Sequence, residues 1–390
     1  MKYDFVLFEN LYNVENHYKD LCILAGLLKE AGYSVAIVDA FKEAELCHID
    51  DIPHISLNVK CNSIFKTPQV YTQSTSGFKN LIYRVKKDIY LYKVIKKLQG
   101  IAPNIYLGSM TLATPIFFFK AFEKHTNYYM WALRSAHVLN WKKGKLGLYN
   151  IISKLLYRNI HRCKNLRLIV SNELIKKEFE EIVGIENKRL ILRPERTITE
   201  KRFIKGKGEK GQSLNLLFIG TLRPFKNVEF CLEALKKIRD ARISYTIAGR
   251  CKNNKAYNEM ISKKVAEIPN VNRIDRYISD DEYEQLISEC DFLVLCDKKQ
   301  TSCASNGTMT EALLHGKPII APDFNPFKEE IEKYHVGLMY HYQDIDSMCE
   351  TIEDALMEGA LSFKDSILLY QEKFIEKNVV DSLKGQIKSN

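Results

Sequence analysis

Residues 214–249 read "LNLLFIGTLRPFKNVEFCLEALKKIRDARISYTIAG", and this stretch decides the fold of the chain. An apolar run at 214–220 is followed by an amphipathic pattern at 227–240 and by a second apolar run at 243–249. Short apolar runs bounded by glycine are typical of buried strands, and the pattern between them has helical spacing. A strand, a helix and another strand in this order predict one unit of a parallel sheet.

The same alternation continues on both sides of this unit. Helices are predicted at 257–268 and 280–290, and the second of them starts with Ser279 and Glu282 at capping-box spacing. Further strands are predicted at 4–9, 34–41, 104–110, 128–133, 167–172, 291–296 and 319–321, and further helices at 18–32 and 114–125. The chain is therefore predicted to be α/β, with two Rossmann-like parallel-sheet domains.

Residues 199–213, "TEKRFIKGKGEKGQS", are polar and without periodicity, and we predict that they form a linker. They contain GxGxxG at Gly206, Gly208 and Gly211. A dinucleotide-binding turn follows a strand and opens a helix, whereas these glycines precede a strand, so we assign them no ligand. The predicted organisation is a first domain at 1–198, the linker, a second domain at 214–362 and a helical segment at 363–390 that packs back on either domain, with the first as the favoured partner.

Composition places the chain among soluble globular proteins. It has 390 residues, of which 46% are hydrophobic and 27% charged. No apolar run approaches the roughly 20 residues that cross a bilayer. Ten cysteines occur without a CxxC pair or a Cys/His cluster, which favours reduced thiols in a cytoplasmic protein over disulfides or a zinc site.

The net charge of +10 is concentrated in two stretches. Residues 78–100 hold seven Lys or Arg and one acid, and residues 134–167 hold nine and no acid. Both interleave aromatic and aliphatic residues with the charge, which fits either an anionic membrane surface or solvated basic helix faces. Nucleic acid is not expected as a partner, because no helix-turn-helix, RNP or zinc-finger pattern accompanies the charge.

Segments rich in polar residues follow three predicted strands of the second half, at 221–227, at 248–254 and in the stretch that begins at 301. Ligands of open parallel sheets bind outside the carboxyl ends of the strands. The last of these segments leads into a helix near Gly307, where free backbone amides from Asn306 to Met309 would form a phosphate site.

Arg223 and Lys226 follow a neighbouring strand and would neutralise a diphosphate. Glu311, predicted in the first turn of the helix, would repel phosphate but accept hydrogen bonds from the two hydroxyls of a ribose. Together these residues predict a nucleotide-linked ligand. The alternatives are that Glu311 only complements the helix dipole, that Arg223 and Lys226 are only solvated, and that Gly307 only makes a turn.

Three runs carry a resemblance to a known family: "LFIGTLRPFKNVEFCLEAL" (217–235), "YTIAGR" (245–250) and "GTMTEALLHGKPIIAPDFNPFKEEI" (307–331). They resemble the donor-binding domain of GT-B glycosyltransferases, most of all the retaining family-4 type. The resemblance covers about residues 213–358, and 167–179 fits the late part of the first domain. It implies two Rossmann-like domains facing each other across a cleft.

The resemblance also implies roles for single residues. Lys226 would bind the donor diphosphate, Glu311 the ribose, and Glu330 matches a further glutamate of the family. Two positions depart from the pattern, since Cys303 replaces a glutamate and Thr221 replaces an arginine for which Arg223 is a stand-in. The donor-binding candidates are Gly220, Thr221, Arg250, Ser305, Asn306, Gly307, Thr308, Glu311 and Glu330, and the catalytic candidates are His137, Lys226 and Arg223.

The implied function is transfer of a hexose from a UDP- or GDP-linked sugar to a glycan or lipid-linked acceptor, in polysaccharide synthesis at the inner face of the membrane. The family type implies retention of anomeric configuration, with inversion left open. No cofactor and no metal are implied. His137 is a candidate because it follows a predicted strand end; it would contact the sugar or deprotonate the acceptor, and the alternative is a purely structural role. The alternatives are a catalytically silent partner subunit and a nucleotide-sugar 2-epimerase of the same fold.

Overall fold

The chain divides into two compact units in the computed structural model. The structure describes residues 2–9, 15–39, 51–57, 92–109, 125–132, 163–251, 254–299 and 306–388. Within these, residues up to 197 and from 376 onward form the first unit, and residues from 198 to 375 form the second. The chain thus leaves the first unit once and returns to it for its last helix.

The first unit contains one parallel sheet. Its strands are β1 (Phe5–Phe8), β2 (Val35–Asp39), β3 (His54–Ser56), β4 (Asn104–Ser109), β5 (Asn127–Trp131), β6 (Leu166–Val170) and β7 (Leu190–Leu192). Their order is β3-β2-β1-β4-β5-β6-β7, and every neighbouring pair is parallel. Helix α1 (Glu15–Glu30) follows β1, and helix α2 (Glu173–Glu178) follows β6 and continues into a π-helical turn, Phe179–Val183.

Strand β1 shows why the first sheet reads as continuous apolar runs. Phe5 and Leu7 belong to the core on one face of the sheet, and Val6 and Phe8 belong to the core on the other. Successive side chains of a strand point to opposite faces, so a strand covered on both sides needs apolar residues at every position.

The second unit repeats the design with six strands. They are β8 (Leu214–Ile219), β9 (Ile243–Ala248), β10 (Val271–Ile274), β11 (Phe292–Val294), β12 (Ile319–Pro322) and β13 (Gly337–Tyr340), in the order β10-β9-β8-β11-β12-β13. All neighbours are parallel. The helices are α3 (Val228–Ile238), α4 (Lys255–Ala266), α5 (Asp280–Glu289), α6 (Gly307–Leu314), α7 (Phe327–Tyr334), α8 (Ile345–Glu358) and α9 (Lys364–Gln371).

The predicted α/β architecture with two parallel sheets is confirmed. Ser279 caps α5 as its spacing predicts: its hydroxyl accepts from the amide of Glu282, and the Glu282 carboxylate accepts from the amide of Ser279. Strands β3, β7, β10 and β13 are additional to the strands predicted above from apolar runs. The predicted helix at 114–125 lies outside the described residues, apart from residue 125.

Residues 199–213, predicted as a linker, pack on the second unit. The carboxylate of Asp291 accepts hydrogen bonds from the amides of Gly208 and Asn215 at 3.0 and 2.7 Å. A Cβ on Gly206 or Gly208 would come within 2.2 Å of that carboxylate. These two glycines of the GxGxxG pattern therefore let the backbone approach a buried aspartate.

The C-terminal segment, predicted as one helix near 363–377, contains two helices in different units. Helix α9 belongs to the second unit, and α10 (Glu376–Lys388) packs on α1 and β7 of the first. Within the described residues the chain passes from one unit to the other before Ile198 and after Ile375. The amide of Ile198 donates to the carbonyl of Phe374 at 2.9 Å, and both residues belong to the second unit. Among the described helices, none is both long enough and apolar enough to span a bilayer.

Candidate functional site

Two glycines bring the carboxyl ends of β8 and β9 into close contact. Gly220 and Gly249 have φ of 141° and 131°, a backbone conformation that residues with a side chain rarely adopt. A Cβ on Gly249 would lie 1.9 Å from the carbonyl oxygen of Gly220. The exposed side chains of Thr221 and Arg250 follow these glycines directly. The candidates Gly220, Thr221 and Arg250 therefore lie side by side at the carboxyl ends of two neighbouring strands.

The loop after β8 carries the two predicted cations. Leu222 anchors it, because this side chain is buried and its amide donates to the carbonyl of Arg250 at 3.1 Å. Arg223 is exposed and precedes a 3-10 turn, Pro224–Lys226. The charged groups of Arg223 and Lys226 lie 5.9 and 5.5 Å from the centre of the Phe225 ring. Both cations are thus held around one aromatic side chain.

Helix α6 begins at Gly307 and is capped by Asn306. The side-chain oxygen of Asn306 accepts from the amide of Met309 at 3.1 Å, so that amide, predicted to be free for a ligand, is already bonded. The amides of Gly307 and Thr308, the first two of the helix, have no acceptor within it. The φ angle of Gly307 is not in the positive range, so this position does not need the conformational freedom of glycine to turn the chain. A Cβ atom added to Gly307 would meet no other atom within 4 Å. The amino end of α6 therefore offers two outward amides beside an open space.

Asp297, which sequence analysis did not select, joins the cationic loop to this helix. Its carboxylate accepts from Lys226 Nζ at 2.8 Å and from the side-chain amide of Asn306. Burial raises the pKa of Asp297, and its bonds to Lys226 and Asn306 oppose that rise. The position of an acid directly after the strand "DFLVLC" is the signal that would have identified it.

Glu311 lies in the second turn of α6, not in the first as predicted. The helix begins at Gly307, so Glu311 is its fifth residue, and one turn holds 3.6 residues. A carboxylate interacts with the helix dipole mainly within the first turn, so dipole complementation accounts poorly for this position. Its Oε2 lies 3.8 Å from Nδ1 of His315, and the other ring nitrogen of His315 lies 2.7 Å from Glu284. Glu311 is 30% exposed and remains accessible to a ligand.

Glu330 on α7 forms an ion pair with Lys373, with 2.9 Å between Oε2 and Nζ. The same ammonium lies over the rings of Tyr370 and Tyr334, 3.9 and 4.5 Å from their centres. Tyr370 in turn hydrogen-bonds the side chain of Thr310 on α6. Glu330 is thus connected to α6 through a packed cluster, which gives it a structural partner in addition to its predicted ligand.

Through Asp297 the structure brings Lys226 together with Asn306, which Gly307 and Thr308 follow directly. Gly220, Thr221, Arg223 and Arg250 lie at the carboxyl ends of β8 and β9. Other candidates lie outside the described residues: Ser305, Cys303, His137 and most of the basic stretches 78–100 and 134–167. Among the residues that the structure describes, no three His, Cys, Asp or Glu side chains group as metal ligands would. Asp344 caps α8 by accepting from the amides of Asp346 and Ser347, as predicted for this Asp-x-Asp.

Comparison with known proteins agrees with this geometry. Residues 213–358, which contain the cationic loop, Asp297, the helix α6 and Glu330, match the family model "Glycosyl transferases group 1". A GDP-mannose:glycolipid 4-beta-D-mannosyltransferase of Xanthomonas campestris is 28% identical over 149 residues. That alignment covers 37% of this chain and 39% of the relative, so the chain matches about two fifths of the relative's length.

Solved structures match over the whole chain. The lipopolysaccharide outer core galactosyltransferase WaaB in its apo form has a TM-score of 0.64 at 16% identity, with 99% of both chains covered. Anabaena HepE, solved with UDP and glucose, has a TM-score of 0.64 at 12% identity, with 99% of this chain and 100% of HepE covered. The chain has the GT-B fold, and the predicted resemblance to GT-B glycosyltransferases is confirmed, while the family-4 subclass stays a prediction.

Proposed function

We propose that this chain is a glycosyltransferase that moves a hexose from a nucleoside-diphosphate sugar to a glycan or glycolipid acceptor. The observation that carries the proposal is the position of α6. The strand order runs outward from β8 through β9 to β10 and restarts on the other side at β11, so the order reverses between β8 and β11. Ligands of open α/β sheets bind at this reversal point, and both the cationic loop after β8 and the amino end of α6 lie there.

The chemistry needs charge stabilisation more than it needs a protein nucleophile. An acceptor hydroxyl attacks the anomeric carbon, a new carbon–oxygen bond forms, and the bond from that carbon to the diphosphate breaks with its electron pair on the diphosphate. The departing diphosphate takes up the proton that the hydroxyl loses. Lys226, Arg223 and the amides of Gly307 and Thr308 would stabilise that leaving charge. Because these groups supply the positive charge, we propose that the reaction needs no cofactor and no divalent metal. The expected result is full transfer activity in the presence of excess chelator.

Glu311 is the proposed ribose contact. Its exposed carboxylate lies one turn into α6, beyond the amides that would hold the phosphates. A carboxylate accepts hydrogen bonds from two vicinal hydroxyls, which a ribose presents and a phosphate does not. This arrangement supports a UDP- or GDP-linked donor, and the GDP-mannose in the name of the curated relative favours testing GDP-sugars first.

The family type that the segment 307–331 resembles supports retention of anomeric configuration. Inversion is the second candidate, favoured by the β-linked product in the name of the curated relative. NMR of the transfer product separates the two outcomes, by the coupling between the anomeric proton and its neighbour for gluco- and galacto-configured sugars and by the one-bond coupling between the anomeric carbon and its proton for mannose.

The acceptor and the membrane belong to the proposal as well. The glycolipid in the relative's name and the basic-aromatic stretches 78–100 and 134–167 support a lipid-linked acceptor at the inner face of a membrane. Vesicles containing anionic lipid should sediment the protein at low salt and release it at high salt. Failure to sediment under both conditions would remove the membrane from the proposal.

The deciding experiment measures donor use by the purified chain. UDP- and GDP-sugars are screened for thermal stabilisation, and the best donor is then followed for hydrolysis and transfer. Lys226→Ala and Glu311→Ala should each lower kcat/KM by roughly 100-fold or more, because each removes a contact to the donor. Lys236→Ala is the matched control, since this lysine pairs with Glu267 on the surface.

Full activity in both site variants would place the site elsewhere. A silent partner subunit is the second candidate function, favoured by Thr221, which provides no cation at the position where the family has an arginine. Binding of a nucleotide-sugar without hydrolysis or transfer would support it, whereas interconversion of two free nucleotide-sugars would support a 2-epimerase.

A further inference from the structure

We infer that Asp297 is a positioning residue for the donor diphosphate, which it serves by fixing Lys226 and the cap of α6 in one arrangement. The inference rests on the proposed function, and it gives a role to a residue that was not among the candidates predicted from the sequence. Asp297 itself does not touch the donor in this scheme. It acts through Lys226 on one side and through Asn306 on the other.

The backbone on both sides of Asp297 is anchored. Before it, the amide of Leu295 continues the sheet by donating to the carbonyl of Ile320 at 2.8 Å. After it, the amide of Lys298 donates to the carbonyl of Phe225 at 2.7 Å, next to Lys226 in the cationic loop. The carboxylate is therefore held at a fixed place between two strand ends. The segment that carries Asp297 is bonded to the cationic loop both through the backbone, from Lys298 to Phe225, and through the side chain of Asp297.

The contact with Lys226 is directional and largely shielded from water. The side chains of Lys226 and Asp297 are 18% and 8% exposed, and Nζ lies 2.8 Å from Oδ1. An ammonium has three hydrogens, and the bond to Asp297 uses one of them. Among the described residues the remaining two have no acceptor, so they would donate to phosphate oxygens, and the bond to Asp297 limits the directions in which they point.

The contact with Asn306 reaches the helix. The Asn306 side chain donates to Asp297 through its nitrogen and accepts from the amide of Met309 through its oxygen, so both ends of this amide are bonded. A cap with only one bond can rotate, whereas this cap is held at two points. Because Asn306 precedes Gly307 directly, the orientation of the outward amides of Gly307 and Thr308 depends on it.

A carboxylate so near a diphosphate weakens ground-state binding through its negative charge, so its benefit must lie in orientation. Groups aimed at the developing charge of a leaving group lower the barrier only when they are already in place. Asp297→Asn removes the charge and leaves one acceptor oxygen for two donors. We therefore expect kcat to fall by up to roughly 100-fold, while the donor KM and the dissociation constant of the nucleoside diphosphate change by less than about threefold.

A double-mutant cycle tests this role. Because Asp297 acts partly through Lys226, Asp297→Asn should lower kcat by a clearly smaller factor in the Lys226→Ala background than in the wild type, so the two effects on the activation free energy are not additive; the part that acts through Asn306 remains. Asp297→Ser provides a second variant in case the first folds poorly, and all rates are normalised to folded protein measured by circular dichroism. Effects that simply multiply in the double variant, or an unchanged kcat in both Asp297 variants, would overturn the inference.

Asp291 provides the matched control. It is buried like Asp297 and precedes the same strand, β11, that Asp297 follows. Among the described residues, its hydrogen-bond donors are the amides of Gly208 and Asn215 and the side chain of Asn215, none of which belongs to the site. Asp291→Asn should lower thermal stability and leave kcat per folded molecule unchanged.

Binding of UDP and GDP, measured by calorimetry, separates the inference from the function on which it rests. If neither nucleotide binds the wild-type chain and no sugar is transferred, the proposed function fails and the inference fails with it. If a nucleotide binds and Lys226→Ala reduces transfer while the cycle is additive, the function stands and the role of Asp297 is refuted.

Discussion

Gln386 of α10 bonds Leu192 of β7 as a neighbouring strand would. Its Oε1 accepts from the Leu192 amide at 2.8 Å, and its Nε2 donates to the Leu192 carbonyl at 3.1 Å. Strand β7 is the last of the described strands in the first sheet, so this side chain satisfies backbone groups at its outer side. The second unit uses the same device, since Gln371 of α9 bonds the amide and carbonyl of Arg202 at 2.9 Å each.

Replacing Gln386 by Leu should destabilise the first unit by about 1–2 kcal/mol, because two backbone hydrogen bonds are lost at a half-buried site. Urea unfolding gives the free energy, and hydrogen exchange should show faster exchange of the Leu192 amide. Gln386→Glu keeps the acceptor and loses the donor, so it should fall between wild type and Gln386→Leu. Equal protection of Leu192 in all three proteins would show that the contact is dispensable.

The ion pair between Arg193 and Asp20 predicts a strong and asymmetric response to mutation. Arg193 is fully buried, with Nη1 2.9 Å from Asp20 Oδ1 and its guanidinium 4.9 Å from the centre of the Trp131 ring. Asp20→Ala leaves a buried charge without its counter-ion, and we expect a loss of about 3 kcal/mol or more.

The double variant Asp20→Leu with Arg193→Met removes both charges, and it should recover much of that loss in a thermal unfolding experiment. A double variant less stable than Asp20→Ala would show that the guanidinium has a further essential partner.

Two glycines of the second unit should respond to alanine in opposite ways. Gly208→Ala puts a Cβ 2.1 Å from the Asp291 carboxylate, and we expect it to destabilise the protein by about 1–3 kcal/mol through overpacking. Gly307→Ala places its Cβ in open space at the start of α6, so stability should stay equal or rise by less than about 1 kcal/mol.

The same Gly307→Ala should raise the dissociation constant of the nucleoside diphosphate by roughly tenfold, since the methyl group occupies the approach to the outward amides. Calorimetry on a variant of intact stability measures this directly. Unchanged affinity would place the phosphates away from the amino end of α6.

The pair of His341 and Asp323 predicts a pH dependence of stability. The bond of 3.0 Å between His341 Nδ1 and Asp323 Oδ2 raises the pKa of His341 and lowers that of Asp323. The histidine's contribution is complete below its ordinary pKa of about 6.5 and is lost as pH rises through the raised value. The aspartate's contribution is present above its ordinary pKa of about 3.9 and is lost as pH falls through the lowered value.

His341→Gln should therefore lower the melting temperature slightly near pH 5.5 and leave it unchanged near pH 8.5. Paired thermal scans of wild type and variant across this range measure the difference. A difference that is constant with pH would mean that the histidine is not protonated in the pair.

Apolar patterning was sufficient to predict the two sheets, since every residue of β1 is apolar and every buried residue of β8 and β9 is a hydrophobic one. Strand β10 was missed because its four residues, "VNRI", include a polar pair and none of them is fully buried. Its position in the sheet is determined by pairing with β9, which is distant in sequence, and a local sequence pattern does not reveal such a pairing.

The candidate site was predictable where function depends on residue type and less so where it depends on helix phase. Lys226 and Arg223 were identified as cations at a strand end, and their loop lies there. Glu311 was placed one turn too early because α6 begins at Gly307 itself, capped by Asn306, and not after that glycine. Asp297 was missed because its role arises from contacts with residues 71 positions before it and nine positions after it.

The return of the chain to the first unit has a consequence during protein synthesis. Val379, Val380 and Leu383 of α10 complete a core that also contains Phe5 and Leu24. Ribosomes add about 5–20 residues per second, so translating residues 198–375 takes roughly 10–40 seconds. During this interval the nascent amino-terminal half exposes an apolar face that its own last helix will later cover, which makes that face a natural substrate for ribosome-associated chaperones.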